Sequence, residues 1–255
     1  MMFGGGGGRM RGLHILMCIW LLCAFMPNKI EARTLKRVDL EKTGRAFWDV
    51  RAERKKIAIT FDDGPHPVYT NQILDVLKEH QVNASFFVIG SRIHTYPMIA
   101  ERIVDEGNEL GNHTMNHTYF DLLSSKEIKR ELKESAAHIA SLQPGGPLLF
   151  RPPGGRLTMK SFRILSKQGY DVVMWSFTQD PKDWSRPGAR KIASRIIDHI
   201  QGGDIILLHD GGGNRKQTVE ALKQVIPELK KRGYEFVKVS ELLHHDKAYM
   251  PVQMQ

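Results

Sequence analysis

The sequence predicts a one-domain α/β fold built on a parallel sheet, with a repeat number that suits a barrel. From residue 57 to residue 239, short β-branched and aromatic runs alternate with stretches of helical spacing, which is typical of parallel sheets. Within this stretch we find neither an internal repeat nor a second domain. Hydrophobic residues make up 41% and charged residues 25% of the 255 positions, a globular composition that excludes a wholly disordered chain.

The strands and helices are expected in alternation. Runs rich in β-branched residues predict strands at 57–61, 84–89, 108–111, 148–150, 170–177, 204–209 and 235–239. Apolar residues at helical spacing predict helices at 71–80, 97–106, 126–142, 159–168, 189–200 and 217–231. The clearest helix is 126–142, because Ile128, Leu132 and Ile139 fall on one of its faces.

Residues 1–32 have the order of a secretory signal peptide or an N-terminal membrane anchor. Arg9 and Arg11 precede an apolar run at 13–26, and the segment ends in a small residue. The run is short for a membrane span, which favours a cleaved signal. Ile30 is a poor residue for the position three places before a cleavage site, which leaves a retained anchor open.

Charge and cysteine content narrow the classes of protein that the chain could be. With 37 basic and 28 acidic residues, the formal net charge is +9, which favours an anionic partner such as a cell-wall polymer. No nucleic-acid motif accompanies the basic residues, so we expect no nucleic-acid partner. Cys18 and Cys23 both lie in the signal-like segment, so the exported protein would have neither thiols nor disulfides.

Two segments flank the predicted domain, which spans residues 56–243. Residues 33–55 form a basic lead-in that we expect to be solvated, with Phe47 and Trp48 starting a first strand there. Residues 244–255 are expected to be a solvated tail. Because a signal-like segment precedes a basic chain, we expect an extracytoplasmic protein, either secreted or anchored in the membrane at the cell wall.

Polar residues with ligating or catalytic side chains follow the ends of the predicted strands. They are Asp62, Asp63, His113, His117, Arg151, Asp180, Asp183 and His209. Parallel α/β barrels build their active sites at the carboxyl ends of the strands, where the connecting loops meet. Solvated loop charges would not follow this rule so uniformly, so the sequence predicts one active site at this edge of the sheet.

His113 and His117 are candidate metal ligands. Their spacing of four residues would bring both imidazoles onto one face of a helical turn. Two histidines and one aspartate would leave a coordination position open, as catalytic zinc requires. Thr114 stands where the zincin motif carries its glutamate base, so the base must come from elsewhere. The adjacent pair Asp62 and Asp63 could supply it, with one carboxylate facing a metal and the other facing a water.

Five segments together resemble the motifs of one known family. They are Thr-Phe-Asp-Asp-Gly-Pro at 60–65, His-Thr-Met-Asn-His at 113–117, Arg-Pro-Pro-Gly at 151–154, Asp-Pro-Lys-Asp-Trp at 180–184 and Leu-Leu-His at 207–209. In this order and spacing the chain resembles the NodB-homology polysaccharide deacetylases, carbohydrate esterase family 4, over residues 56–243. The resemblance implies a distorted (β/α) barrel that removes acetyl groups from N-acetylated sugars. It also implies one divalent metal ion, Zn²⁺ before Co²⁺.

The resemblance implies a role for each motif residue. The implied metal ligands are Asp63, His113 and His117. Asp62 would be the general base that takes a proton from the attacking water, and His209 the general acid that protonates the departing amine. Arg151 would keep Asp62 ionised, while Asp183 would keep His209 in its charged, proton-donating form.

The remaining motif residues are implied to shape the substrate pocket. Trp184 and Leu207 would line the sugar and the acetyl group. The backbone N–H of Gly154 would help to stabilise the oxyanion. Family members often carry tyrosine at the position of Gly154, so this chain differs in the wall of its groove while it keeps the backbone donor.

The leading hypothesis is a metal-dependent N-deacetylase that acts as a monomer and releases acetate from a glycan with GlcNAc or MurNAc units. Peptidoglycan and chitooligosaccharides both fit this description. An O-acetyl esterase that acts on a polysaccharide is an alternative, because ester and amide carbonyls are attacked with the same groups. A non-catalytic glycan-binding protein on the same barrel is a third hypothesis. Such a protein would lack the base or a metal ligand, and neither is missing from the motifs.

Overall fold

The structure is a computed structural model that describes residues 36–50 and 55–247. The signal-like segment and most of the C-terminal tail lie outside the described residues, so the expectations for both stay predictions. Among the helices of the described ranges, none combines the length and the apolar character that crossing a membrane requires.

Eight strands form the centre of the described domain. They are β1 (Ala46–Phe47), β2 (Lys56–Asp62), β3 (Ser85–Val88), β4 (Glu109–Asn112), β5 (Leu149–Phe150), β6 (Asp171–Val173), β7 (Ile205–His209) and β8 (Glu235–Phe236). Their spatial order is β1-β6-β5-β4-β3-β2-β7, and β8 also pairs with β2. These neighbours pair in parallel, which confirms the predicted α/β class.

The sheet curls until its two ends approach each other. Just beyond β6, Ser176 donates its backbone N–H to the carbonyl of Ile205 in β7 at 3.1 Å. Two residues further along β7, Leu207 donates its backbone N–H to the carbonyl of Gln179 at 3.0 Å. β7 is therefore joined to the segment that follows β6, and the predicted distorted barrel is confirmed.

Nine helices lie around the sheet in the described ranges. They are α1 (Arg37–Glu41), α2 (Tyr69–Glu79), α3 (Gly90–Thr95), α4 (Pro97–Asp105), α5 (Ser125–Leu142), α6 (Met159–Lys167), α7 (Ala189–His199), α8 (Lys216–Lys231) and α9 (Val239–Lys247). The six predicted helices are α2 and α4 to α8. The sequence pattern did not predict α1, α3 or α9.

Two predicted strand ends are wrong. The strand expected over 170–177 ends at Val173, because the carbonyls of Val173 and Met174 accept hydrogen bonds from the side chain of Arg151. The strand expected over 235–239 ends at Phe236, and α9 begins at Val239. Within the basic lead-in, the edge strand β1 is buried and pairs with β6, so part of that segment belongs to the sheet.

The alternation of side chains along β2 separates the outside of the barrel from its inside. Ile59 and Phe61 pack in the core that the sheet forms with α2, α7 and α8. Ala58 belongs to a separate core cluster, and Thr60 and Asp62 share its face because successive residues of a strand point to opposite faces. The alternation therefore sends Asp62 into the barrel at the carboxyl end of its strand.

Candidate active site

The carboxyl ends of four strands bring the predicted residues to one edge of the sheet. Asp62 ends β2 and lies in register with His209, which ends β7. His113 directly follows β4, and Arg151 directly follows β5. Asp183 comes from the segment after β6, where it begins a short 3₁₀ turn, Asp183–Ser185. The predicted location of the site at this edge agrees with these positions.

Asp63, His113 and His117 bring three ligating atoms together. The Oδ1 atom of Asp63 lies 3.6 Å from Nε2 of His113 and 3.1 Å from Nε2 of His117. One ligand atom from each residue lies within 4.8 Å of the other two. Burial alone would raise the pKa of Asp63, but the two histidines outweigh burial and hold that pKa well below its usual range. Neither nitrogen is oriented for a hydrogen bond to the buried Oδ1 atom, so the three close atoms fit ligands that converge on a metal ion.

The segment that holds the two histidines is irregular, so the predicted helical turn is wrong. Thr114 and His117 have φ angles of 70° and 58°, in the left-handed region. These two residues turn the chain and bring the imidazole centroids of His113 and His117 to 5.1 Å. The Nδ1 atom of His113 contacts the carbonyl of Arg151 at 2.7 Å, which orients the ring and leaves Nε2 for a ligand.

The first of two ion pairs at the site joins Arg151 to Asp62. Arg151 is completely buried, and its Nη1 donates to Oδ1 of Asp62 at 2.8 Å and to the hydroxyl of Thr60 at 2.7 Å. Its other nitrogens donate to the carbonyls of Val173 and Met174. Burial lowers the pKa of Arg151 and Asp62 opposes this effect. The guanidinium keeps its charge, since arginine is not deprotonated in proteins.

The second ion pair joins Asp183 to His209. Oδ1 of Asp183 lies 2.7 Å from Nδ1 of His209, and Oδ2 accepts the backbone N–H of His209 and the hydroxyl of Thr218. Burial would lower the pKa of His209, but Asp183 outweighs burial and raises it to about 9. The Nδ1 bond uses one ring nitrogen, so Nε2 is the atom that can pass a proton to a bound molecule.

The residues predicted to shape the pocket differ in exposure. Leu207 is buried on the same face of β7 as His209, and Trp184 is half exposed. Gly154 has a φ angle of 60°, and a Cβ atom there would lie 3.1 Å from the ring of Tyr119. Tyr119 was not singled out from the sequence. Its ring centroid lies 6.0 Å from that of His117, so Tyr119 lies beside the candidate metal site.

Other polar residues near the site were also missed by the sequence reasoning. Asp210 is completely buried and accepts a hydrogen bond from the hydroxyl of Thr70 at 2.5 Å. Burial raises the pKa of Asp210 to about 7. Its place directly after His209 was the signal that could have identified it. Asp180, whose role the sequence left open, accepts the backbone N–H of Lys182 and caps a turn.

Comparisons of sequence and of structure with known proteins point to the same family. The family model for polysaccharide deacetylase matches residues 49–173. The peptidoglycan-N-acetylglucosamine deacetylase of Bacillus cereus is 46% identical over 211 residues, which cover 83% of this chain and 99% of that protein. A chitooligosaccharide deacetylase of a Bradyrhizobium species is 38% identical over 210 residues, covering 78% of this chain and 94% of that protein.

The fold comparison covers a similar part of the chain. A solved structure of a peptidoglycan N-acetylglucosamine deacetylase, in complex with an N-hydroxybenzamide derivative, superposes with a TM-score of 0.77. The two chains are 29% identical, and the match covers 80% of this chain and 95% of the other. The sheet, the surrounding helices and the site edge described above all lie in a domain of this type.

Proposed function

The chain belongs to the polysaccharide deacetylase family of hydrolytic enzymes, and we propose that it deacetylates N-acetylglucosamine units of peptidoglycan. The reaction adds water across the amide bond and yields acetate and a free amino sugar. The 46% identity to the Bacillus cereus peptidoglycan-N-acetylglucosamine deacetylase supports this substrate. The 38% identity to a chitooligosaccharide deacetylase supports the same sugar in a different polymer.

One observation carries the proposal. The same edge of the sheet holds three converging ligand atoms, from Asp63, His113 and His117, next to a carboxylate and an imidazole on neighbouring strands. Hydrolysis of an amide needs a base that accepts a proton from water and an acid that protonates the amine. Asp62 and His209 supply one of each, and each is hydrogen-bonded to a buried residue of opposite charge.

We propose Zn²⁺ as the metal ion, with Co²⁺ as an alternative. Asp63, His113 and His117 offer one carboxylate oxygen and two imidazole nitrogens, which are donors that zinc prefers. A set of three protein ligands leaves a coordination position open, as in catalytic zinc sites. The bound cation would polarise the acetyl carbonyl and make a water molecule more acidic.

Asp62 and His209 would move the protons of the reaction. Asp62 accepts a proton from the water as the water oxygen attacks the acetyl carbon. When the C–N bond breaks, the amine nitrogen takes a proton from His209, whose pKa of about 9 keeps it charged at neutral pH. Arg151 fixes the orientation of the Asp62 carboxylate, and Asp183 fixes that of the His209 ring.

The sugar would lie against the exposed side chains beside this site. Trp184 and Tyr119 are both partly exposed there, and aromatic rings offer apolar faces to a sugar ring. Leu207 would border the acetyl methyl group. The backbone N–H of Gly154 would donate to the oxyanion, and the missing side chain of Gly154 leaves room for the ring of Tyr119.

We also propose that the enzyme works outside the cytoplasm, next to an anionic cell wall. The signal-like order of residues 1–32 supports the location. An exposed basic face of α5 supports the attraction to the wall. Its residues are three or four positions apart, so their positive charges lie on one side of the helix. This face consists of Lys126, Lys129, Arg130 and Lys133. Replacing these four residues by Gln should weaken salt-sensitive sedimentation with purified walls and leave turnover of a small soluble substrate unchanged.

The activity is tested by measuring acetate release from purified peptidoglycan, chitooligosaccharides and acetylxylan side by side. The full chain is loaded with Zn²⁺ or Co²⁺ and compared with a sample treated with a chelator. We expect release from peptidoglycan by the loaded enzyme, little release after chelation, and restoration when metal is returned. The Asp62→Asn variant serves as the inactive control.

The same assay separates the alternatives. Release from acetylxylan alone would identify an O-acetyl esterase, and release from chitooligosaccharides alone would replace peptidoglycan as the substrate. A metal-loaded protein that releases no acetate but binds these glycans would be a non-catalytic binding protein. The complete set of ligands, base and acid disfavours that last outcome.

A further inference from the structure

A buried carboxylate on α5 lies behind the loop that carries His113 and His117. Glu131 is in the middle of this helix and is only 5% exposed, whereas most charged residues of α5 face solvent. A buried glutamate is costly unless hydrogen bonds replace its contacts with water. The partners of Glu131 are therefore informative.

Glu131 accepts three hydrogen bonds, and all of them come from the two residues midway between the histidines. Its Oε2 accepts the backbone N–H of Met115 at 2.9 Å and that of Asn116 at 3.0 Å. Its Oε1 accepts the side-chain amide of Asn116 at 3.0 Å. An ionised carboxylate has only acceptors, which suits a group surrounded by three N–H donors. Glu131 thus binds the loop backbone directly.

The loop needs such support because its conformation is unfavourable in isolation. Thr114 and His117 both have positive φ angles, and a β-branched residue such as Thr114 is uncommon in that region. Strained residues of this kind persist when the surrounding structure holds them in place. The side chain of Asn112 binds the backbone N–H of Thr114, and Glu131 holds the part of the loop that follows.

We propose that Glu131 is a positioning residue of the metal site. By holding the backbone of Met115 and Asn116, it keeps Nε2 of His113 and His117 directed at Asp63. The inference rests on the metal site of the proposed function, but it concerns a residue outside the ligand set. Residues that orient metal ligands in this way typically change metal affinity by about 10- to 100-fold when they are replaced.

Three substitutions at Glu131 remove its hydrogen-bond acceptors to different degrees. Glu131→Met removes both oxygens at nearly the same size. Glu131→Asp keeps the charge but withdraws the carboxylate by one methylene. Glu131→Gln retains one oxygen for the two backbone N–H groups, and the amide of Asn116 can rotate to accept from the new NH₂ group. Glu134→Met is the matched control, since Glu134 lies exposed on the same helix.

The experiment measures the Zn²⁺ dissociation constant of the full chain by competition with a chromophoric chelator, together with the absorption spectrum of the Co²⁺-loaded protein. Each variant is measured at a temperature at which circular dichroism shows it folded. We expect Glu131→Met to weaken Zn²⁺ binding by about 10- to 100-fold and to change the Co²⁺ spectrum. Glu131→Asp should lose less affinity, and Glu131→Gln and Glu134→Met should stay close to the wild type.

A folded Glu131→Met protein with wild-type affinity and spectrum would overturn the inference and leave Glu131 a purely structural residue. If Glu131→Met does not fold, the Zn²⁺ affinities of Glu131→Asp and Glu131→Gln decide. Equal affinities of Glu131→Asp and the wild type would overturn the inference. A wild-type chain that binds neither ion would overturn the proposed metal site itself. That outcome is distinct from a failure of Glu131 alone.

Discussion

The Arg151–Asp62 pair and the Asp183–His209 pair have the same arrangement, but the buried partner is a cation in the first and an anion in the second. In each pair a deeply buried ion, Arg151 or Asp183, holds the residue that would exchange a proton, at 2.8 Å and 2.7 Å respectively. A cation beside a carboxylate favours its deprotonated form, whereas a carboxylate beside an imidazole favours the protonated form. Asp183 therefore favours the charged, proton-donating form of His209, while Arg151 holds the Asp62 carboxylate in place.

The two pairs also differ in what anchors the buried ion. Arg151 donates to the carbonyls of Val173 and Met174, so it replaces part of the sheet ladder beyond β6. Asp183 begins a short turn and is held by the hydroxyl of Thr218 at the start of α8. We therefore expect changes at Arg151 to lower stability most, and changes at Asp183 to alter mainly the pH dependence of activity.

The largest expected effect is on turnover when the base is neutralised. Asp62→Asn keeps the shape of the side chain but removes the proton acceptor, so kcat should fall by roughly 100- to 10,000-fold. Metal content, measured by mass spectrometry of the ion, should stay at the wild-type level because Asp62 is not among the three converging ligands. A rate near that of the wild type would show that Asp62 is not the base.

The neighbouring residue provides the matched control. Asp63→Ala removes one of three ligand atoms, so this variant should lose both bound metal and activity. Adjacent aspartates would then have separable effects, one on chemistry alone and one on metal binding. Full metal content in Asp63→Ala would contradict the ligand assignment.

The next effect is on the free energy of unfolding. Arg151→Met breaks a buried ion pair and leaves two backbone carbonyls without their donor, so the protein should lose about 3–5 kcal/mol of stability. Urea unfolding measures this loss. Arg156→Met is the control, because the Arg156–Asp121 ion pair is partly exposed and should contribute no more than about 1 kcal/mol. Equal losses in the two variants would contradict the structural role of Arg151.

A smaller effect is expected on the alkaline side of the pH–rate profile. His209 must be protonated to act as the acid, so activity should fall as the pH rises through its pKa of about 9. Asp183→Asn removes the main group that raises this pKa, while burial still lowers it. The alkaline limb should therefore move to lower pH, with metal content unchanged, although Asp62 and Asp63 still favour the charged ring. An unmoved limb and a full rate would leave Asp183 as a residue that only caps its turn.

The smallest effect is expected for Thr218→Val. This change removes one hydrogen bond to Asp183, which costs about 1 kcal/mol of stability. Asp183 would still contact the backbone N–H and the Nδ1 atom of His209. The alkaline limb should therefore move less than in Asp183→Asn. A shift as large as that of Asp183→Asn would show that Thr218, rather than Asp183 itself, controls the charge of His209.

Much of the fold follows from local patterns in the sequence. The core of β2 is a short β-branched run, and α5 shows its apolar face at helical spacing, so both were predicted close to their observed bounds. The end of β6 was not predictable in this way. It depends on Arg151, which lies 22 residues before Val173 in the chain and binds its carbonyl only in the folded protein.

Site residues could be predicted where a polar side chain with catalytic chemistry directly follows a strand. They could not be predicted where their role depends on a contact between elements that are distant in the sequence. Asp62 and His209 could be named because each ends a strand. Glu131 and Thr218 could not, since their partners lie 15 and 35 residues away and each sits in an ordinary helical pattern. The predicted helical turn at the histidines was wrong because Thr114 adopts a left-handed conformation. Since a β-branched residue rarely adopts that conformation, the local sequence did not indicate it.

The buried carboxylate of Asp183 keeps His209 in the charged form that an acid needs. An NMR titration of the His209 imidazole in the full chain and in Asp183→Asn tests this claim most directly. We expect a wild-type midpoint near pH 9, with the ring charged below that pH, and a clearly lower midpoint in the variant. A wild-type midpoint at or below 6.5, or equal midpoints in the two proteins, would contradict the account.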